Sequence, residues 1–167
     1  YRDMNGFSRQ ANWEDVYATK GENEVSWFEE HPAISLDLIR ATGATPIASI
    51  IDIGGGASRL VDSLIAAGYL QVTVLDLSEA ALSTARARLG EKAAKVTWIV
   101  ADVTVWQPRE AYDVWQDRAA FHFLTEPDDR TAYLACLTKA LRPDGYAIIR
   151  TFAPDGPERC SGLPVMR

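Results

Sequence analysis

The sequence predicts an α/β protein, a doubly wound, mainly parallel sheet of strand order 3-2-1-4-5 with helices on both faces. Three observations carry that prediction. Short, near-continuous apolar runs alternate with stretches of helical periodicity, as in a sheet covered on both sides. The first apolar run ends in three glycines, Gly54, Gly55 and Gly56. Polar residues then collect where the runs stop: Asp52 to Gly56, Asp76, Asp102 and Asp117. Doubly wound sheets bind ligands at that edge, outside the carboxyl ends of the strands.

The elements follow in order. Asn12 suits the cap of a short helix through Trp13, Val16 and Tyr17, and Gly21 to Glu24 reads as a polar turn. Pro32 suits a first helical position, and a helix runs on through Ile34, Leu36, Leu38 and Ile39 to Thr42-Gly43. Residues 48–53 form the first strand. Residues 58–67 carry Leu60, Val61, Leu64 and Ile65 at helical spacing, and Gly68 ends that helix. Residues 72–75 are the second strand. Ser78 caps a helix over residues 79–89, with Gly90 just past its end. The third and fourth strands are residues 96–100 and 112–115. Asp128 or Asp129 opens a helix through Tyr133, Leu134, Leu137 and Leu141, which stops at Arg142-Pro143-Asp144-Gly145. Residues 146–152 are the fifth strand. In the tail, residues 153–167, Pro154, Gly156, Pro157, Gly162 and Pro164 oppose regular structure, so no sixth or seventh strand is expected. The fifth strand is then an uncovered apolar edge through which the protein would self-associate.

The 167 residues, 47% hydrophobic and 24% charged, make a single globular domain. The net charge of −6 and the lack of a basic run argue against a nucleic-acid partner. Cys136 and Cys160 form neither a disulfide framework nor a metal-ligand spacing. No run approaches the roughly 20 apolar residues of a membrane span, and residues 1–10 carry no apolar signal core. A soluble cytoplasmic protein without metal or membrane partner is expected.

The strand ends describe a ligand. Three glycines between a strand and a helix let the backbone turn sharply and a ligand approach it closely, and the helix N-terminus there favours a carboxylate. Asp76 lies about 20 residues beyond Gly54, where an acid accepts hydrogen bonds from ribose hydroxyls. Asp102 ends the third strand, where an adenine amino group would lie. Each feature alone also suits a plain turn or a helix cap; together they specify an adenosine site. A dinucleotide fingerprint would need glycine at position 59, which is Arg59. Asp52 is also awkward beside a pyrophosphate but welcome beside ammonium and sulfonium charges. The cofactor that fits is S-adenosyl-L-methionine, with S-adenosyl-L-homocysteine as product.

Asp52-Ile53-Gly54-Gly55-Gly56-Ala57-Ser58 resembles the acid-x-G-x-G-x-G loop of the class I S-adenosylmethionine-dependent methyltransferases, with Ser58 in place of the last glycine. Leu141-Arg142-Pro143-Asp144-Gly145 resembles that family's L-x-P-G-G turn before the fifth strand. The likeness runs from about residue 13 to 152. It implies that Asp52, Gly54, Gly55, Gly56 and Ala57 hold the methionine moiety. Asp76 would bind the ribose, Leu77 the adenine face, Asp102 the adenine amino group and Val103 its ring. It also implies a seven-stranded sheet ending in an antiparallel hairpin, which this chain is expected to lack. Gly56 to Leu60, Ala67 to Tyr69 and Leu75 to Glu79 resemble the subgroup of eukaryotic elongation-factor lysine methyltransferases. Trp115-Gln116-Asp117-Arg118-Ala119-Ala120 is similar to the D-[RK]-G segment of those enzymes and of thiopurine and thiol methyltransferases. Trp13, Tyr17 and Trp27 resemble their aromatic lid, which divides the chain into a helical lid (1–45), a cofactor-binding core (46–152) and an irregular tail (153–167).

Methyl transfer from a sulfonium needs alignment and exclusion of water more than a conspicuous catalytic dyad, and none is seen. Asp117 and His122 are the candidates beside the methyl group. Asp117 either faces the cofactor or caps the next helix. His122, in Phe121-His122-Phe123-Leu124, either walls the acceptor site or is a packed histidine. Trp27 and Tyr17 either close over the sulfonium through cation–π attraction or pack on the core. Cys136, between Leu134 and Leu137, is expected to be buried packing. A small-molecule acceptor is favoured. The alternatives are a protein lysine, a non-catalytic S-adenosylmethionine-binding module and a nicotinamide oxidoreductase, the last opposed by Arg59.

Overall fold

The computed structural model describes residues 32–118 and 120–151, together with the backbone of residues 159–160 and 163–164. The expected helix and turn of residues 12–24, with Trp13, Tyr17 and Trp27, lie outside the described residues, as does Phe152.

The described chain runs α1 (Ala33–Ala41), β1 (Ser49–Ile53), α2 (Leu60–Ala66), β2 (Gln71–Asp76), α3 (Glu79–Leu89), β3 (Val96–Val100), β4 (Tyr112–Asp117), α4 (Pro127–Ala140) and β5 (Leu141–Ile149). Two 3-10 turns, Gly90–Lys95 and Phe121–Phe123, join them. The strands form one five-stranded sheet of order β3-β2-β1-β4-β5, and every pairing is parallel. The predicted fold class is what is found.

Parallel pairing leaves the central strands with no wet face. All five residues of β1 are buried. On one face Ile50, Val72, Val74 and Val114 pack with Ile39 of α1, Leu60 and Leu64 of α2 and Leu82 of α3. On the other, Ile51, Ile53, Leu75 and Trp115 pack with Tyr133, Cys136 and Ala140 of α4. Burial makes the Cys136 thiol a poor nucleophile, its pKa pushed up to about 11. Ser78 caps α3 by accepting from the Ala81 N–H at 3.1 Å, and Gly90 ends that helix at φ 59°.

Two expectations need correction. First, the fifth strand begins at Leu141 rather than at 146 and ends at Ile149. The ladder to β4 pairs Tyr112 with Leu141 and then Val114 with Tyr146, so the Pro143-Asp144-Gly145 turn loops out of the strand as a bulge instead of preceding it. Second, the tail is not free of strands. β6 (Arg159–Cys160) and β7 (Leu163–Pro164) pair antiparallel in a sheet of their own. Proline lacks an N–H, and this ladder admits one by placing Pro164 at its end, opposite Arg159. Neither strand joins the main sheet, so β5 keeps an unpaired edge among the described residues, with Tyr146 54% exposed. The inward face of α1 is not set by its apolar residues alone. Ile34 and Leu38 are exposed, while Ser35 and Ile39, one helical turn apart, are buried.

Candidate functional site

The glycine turn is built around two carboxylates. Each glycine is required for a separate reason. Gly54 has φ 68°, a left-handed conformation that a side chain would strain, and its N–H donates to the Leu75 carbonyl at 2.7 Å. A Cβ on Gly55 would overlap the Asp52 carboxylate. One on Gly56 would come within 2.8 Å of both Asp76 Oδ2 and the Ala81 Cβ. The backbone therefore lies directly against both acids. Ser58, standing where the family loop has glycine, accepts from the Leu60 N–H at 3.0 Å and so helps start α2. Arg88 of α3 donates from Nε and Nη2 to Asp62 of α2, both at 2.9 Å, and latches the loop's helix to its neighbour.

The acids are not equivalent. Asp76 is 4% exposed; it accepts from the Gly56 N–H at 2.9 Å and the Ser78 N–H at 2.8 Å. These bonds fix its carboxylate against the turn. Asp102 accepts from the Thr104 N–H at 2.9 Å and the Thr104 hydroxyl at 2.7 Å, both through Oδ1. Its Oδ2 is buried without a partner. Asp52 is 3% exposed, and its Oδ2 is likewise buried without a partner. Burial first, then the neighbouring Asp117 and Asp76 charges, push the Asp52 pKa up to about 8, against a lowering by Arg118. A site of this kind calls for donor groups, above all a cation, at Asp52.

Asp117 is held by its own chain. Its carboxylate, fully buried, accepts from the Ala120 N–H at 2.7 Å, the Phe121 N–H at 3.0 Å and the Tyr133 hydroxyl at 2.5 Å. Trp115 Nε1 donates to the same tyrosine hydroxyl at 2.9 Å. Asp117 thus pins the turn after β4 to α4. Tyr133 enters the sequence reading only as an apolar helix residue, and no local signal marks it as a partner. That pinned turn presses on the glycine loop, because a Cβ on Gly54 would sit 3.0 Å from the Ala120 Cβ. His122 follows, 1% exposed and stacked edge-on to Phe123 at 4.3 Å. Burial lowers its pKa to about 4, so the imidazole is neutral at ordinary pH.

The fold therefore brings Asp52, Gly54, Gly55, Gly56, Ala57, Asp76, Leu77, Asp102, Val103 and Asp117 to one edge of the sheet, with His122 in the turn beyond β4. Trp27 lies outside the described residues. Sequence reasoning missed Ser35 and Gln116, both wholly buried beneath this edge. Two open grooves lie elsewhere. One, of about 510 Å³, is lined by Ile99, Trp106 and Tyr112; the other, of about 380 Å³, is lined by Ala44, Asp113 and Tyr146. Neither is lined by any of the strand-end acids.

A sequence profile of the methyltransferase-domain family matches residues 50–145, from the middle of β1 into the bulge of β5. The chain belongs to the methyltransferase-domain family. The chain is similar to a malonyl-[acyl-carrier protein] O-methyltransferase of Anoxybacillus flavithermus, 31% identical over 64% of this chain and 40% of that protein. It is also similar to thiocyanate methyltransferase 1 of Arabidopsis thaliana, 28% identical over 83% of this chain and 60% of that protein. The chain thus spans less than two thirds of either relative. Among solved structures, a Burkholderia thailandensis 1,6-didemethyltoxoflavin-N1-methyltransferase with bound S-adenosylhomocysteine superposes with a TM-score of 0.70 at 24% identity. That match covers 93% of this chain and 68% of that one. The glycopeptide N-methyltransferase MtfA complexed with sinefungin gives 0.62 at 18% identity, covering 74% and 54%. These two likenesses are of fold. Among the described residues no helix is long and apolar enough to cross a membrane.

Proposed function

We propose that the protein is an S-adenosylmethionine-dependent methyltransferase that acts on a small-molecule acceptor. The observation that carries this is the unpartnered carboxylate oxygen of Asp52, buried against a turn that only glycine can make. A buried acceptor without a donor costs about 1–3 kcal/mol, and a ligand ammonium placed there removes that cost. The donor set fits the cofactor along its length. Asp52 would take the ammonium, Asp76 the ribose hydroxyls and Asp102 Oδ2 the adenine amino group, with Leu77 and Val103 against the ring. Gly54 to Ala57 would supply the close backbone wall beside the methionine moiety.

When bound, the cofactor supplies a sulfonium methyl group that a nucleophile displaces in line. The chain's own contribution is alignment and exclusion of water. Asp117 acts here as a positioning residue, because it holds the turn carrying Ala120 and His122 against the glycine loop. A neutral His122 forms part of the acceptor wall, and it becomes a base only for an acceptor that arrives protonated. The likeness to thiocyanate methyltransferase 1 supports a small acceptor, and the likeness to the malonyl-[acyl-carrier protein] O-methyltransferase a small acyl group borne on a carrier. Self-association through the open β5 edge is also proposed, and sedimentation of the wild type against Tyr146→Lys tests it.

The test is a labelled-methyl transfer screen over thiols, amines, carboxylic acids and protein lysates. Label moving to a small molecule in the wild type and not in Asp52→Asn supports the reading. Label moving only to protein would replace it with protein methylation. Cofactor binding with no transfer to any acceptor would leave a binding module.

A further inference from the structure

Beneath the site lies a polar group buried in the otherwise apolar contact between α1 and the sheet. Ser35, Gln116 and Arg150 meet there. Gln116 Nε2 donates to Ser35 Oγ at 3.2 Å, and Arg150 Nη1 donates to the same oxygen at 3.1 Å. Ser35 and Gln116 are fully buried. The amide nitrogen is committed to Ser35, and the amide oxygen, Oε1, is buried with no partner. Buried side-chain acceptors are rarely left so, and each exception calls for an explanation.

The register of the sheet supplies one. Gln116 pairs with Asp52 across the β1–β4 ladder. Neighbouring strands lie about 4.8 Å apart, and paired residues of a parallel ladder point to the same face. Ile50 and Val114, two residues earlier on each strand, share that face in one core cluster. Two buried acceptor oxygens, Asp52 Oδ2 and Gln116 Oε1, thus stand unpartnered on adjacent strands at the carboxyl edge. With Asp52 ionised, neither oxygen has a proton to donate to the other. An ammonium carries three donors and no acceptor, and it can serve both.

The geometry points to Gln116 as a second acceptor for the cofactor's α-ammonium, held in place by Ser35 and Arg150. This assignment rests on the proposed function. It makes α1 and the end of β5 part of the cofactor site, since the amide that would receive the ammonium is the one that ties those elements together. Methionine at position 116 is nearly isosteric and has no amide, so Gln116→Met tests the role without emptying the core.

The test titrates S-adenosylhomocysteine calorimetrically into wild type, Gln116→Met and Ser35→Ala, alongside two analogues. One analogue carries hydrogen in place of the amino group, the other in place of the carboxylate. Gln116→Met is expected to bind S-adenosylhomocysteine about tenfold more weakly and to bind the deaminated analogue as the wild type does. Ser35→Ala should show a smaller loss with the same ligand dependence. Equal losses for both ligands would reduce Gln116 to a packing residue and overturn the role. A loss that followed the carboxylate would also overturn it, because the amide would then be donating. Unchanged affinity for S-adenosylhomocysteine would overturn it outright. A wild type that binds none of the three ligands would sink the proposed function itself, and this role with it.

Discussion

Asp52 and Asp117 sit almost side by side, at the carboxyl ends of the hydrogen-bonded neighbours β1 and β4, where Ile53 pairs with Asp117. Both are buried aspartates within the last two residues of their strands. Their surroundings are opposite. Asp117 accepts three hydrogen bonds from its own chain, two of them from backbone N–H groups of the next turn. Asp52 has a buried oxygen with no partner, and like charges beside it. A satisfied buried carboxylate builds structure, and an unsatisfied one is waiting for a ligand. Residue type and position in the sequence do not separate these cases; the hydrogen bonds do.

Substitutions should therefore act in opposite directions at the two positions, and the largest effect is expected at Asp52. Asp52→Asn removes a carboxyl that must take up a proton to be buried and keeps the shape. We expect it to weaken S-adenosylhomocysteine binding about 100-fold or more while raising the Tm of the unliganded protein by about 5 °C. Calorimetry and a thermal melt read both, and a fall in Tm would break the contrast. Asp117→Ala should do the reverse, costing about 3 kcal/mol of stability by stranding the Tyr133 hydroxyl and two N–H groups. Urea unfolding measures it; a loss under 1 kcal/mol would mean that those bonds contribute little.

The pH dependence sharpens the contrast further. Burial raises the Asp52 pKa to about 8 from its ordinary 3.8, so the folded protein holds a proton that the unfolded chain releases. Its contribution to stability is then fully present below the unfolded pKa and is lost as pH rises through the folded value. Binding of a cationic group requires the ionised form, so affinity for S-adenosylhomocysteine should rise about tenfold between pH 6 and pH 7 and level near pH 8. Asp52→Asn should show no such rise, and a flat wild-type profile would remove the linkage. The smallest effect is expected at His122. A neutral wall residue replaced by alanine should lower kcat a few-fold with no break in the pH profile near 6.5. A wild-type rate would take His122 out of the site.

What was legible in the sequence was whatever depends on near neighbours. The strand-helix alternation, the glycine turn, the Ser78 cap and the three strand-end acids are each written within a dozen residues, because apolar runs and caps act locally. The bond networks were not legible. Gln116 reaches Ser35 across 81 residues and Arg150 reaches it across 115, and no local pattern marks a serine on an apolar helix as buried. The same distance problem hid Tyr133, which reads as one more apolar position of α4. The sequence marks Pro143-Asp144-Gly145 as a turn but not its place within β5, because the ladder to β4 starts before it, at Tyr112–Leu141, and resumes after it, at Val114–Tyr146. The β6–β7 pair was missed because proline and glycine oppose strands on average without forbidding a two-residue ladder with proline at its end.

The proposed function requires the turn and its acids to select the methionine cofactor over a dinucleotide. Calorimetric titration of the wild-type protein with S-adenosylhomocysteine and with NAD tests it most directly. One-to-one binding of S-adenosylhomocysteine and no heat from NAD are expected. Binding of NAD alone, or of neither, would contradict it.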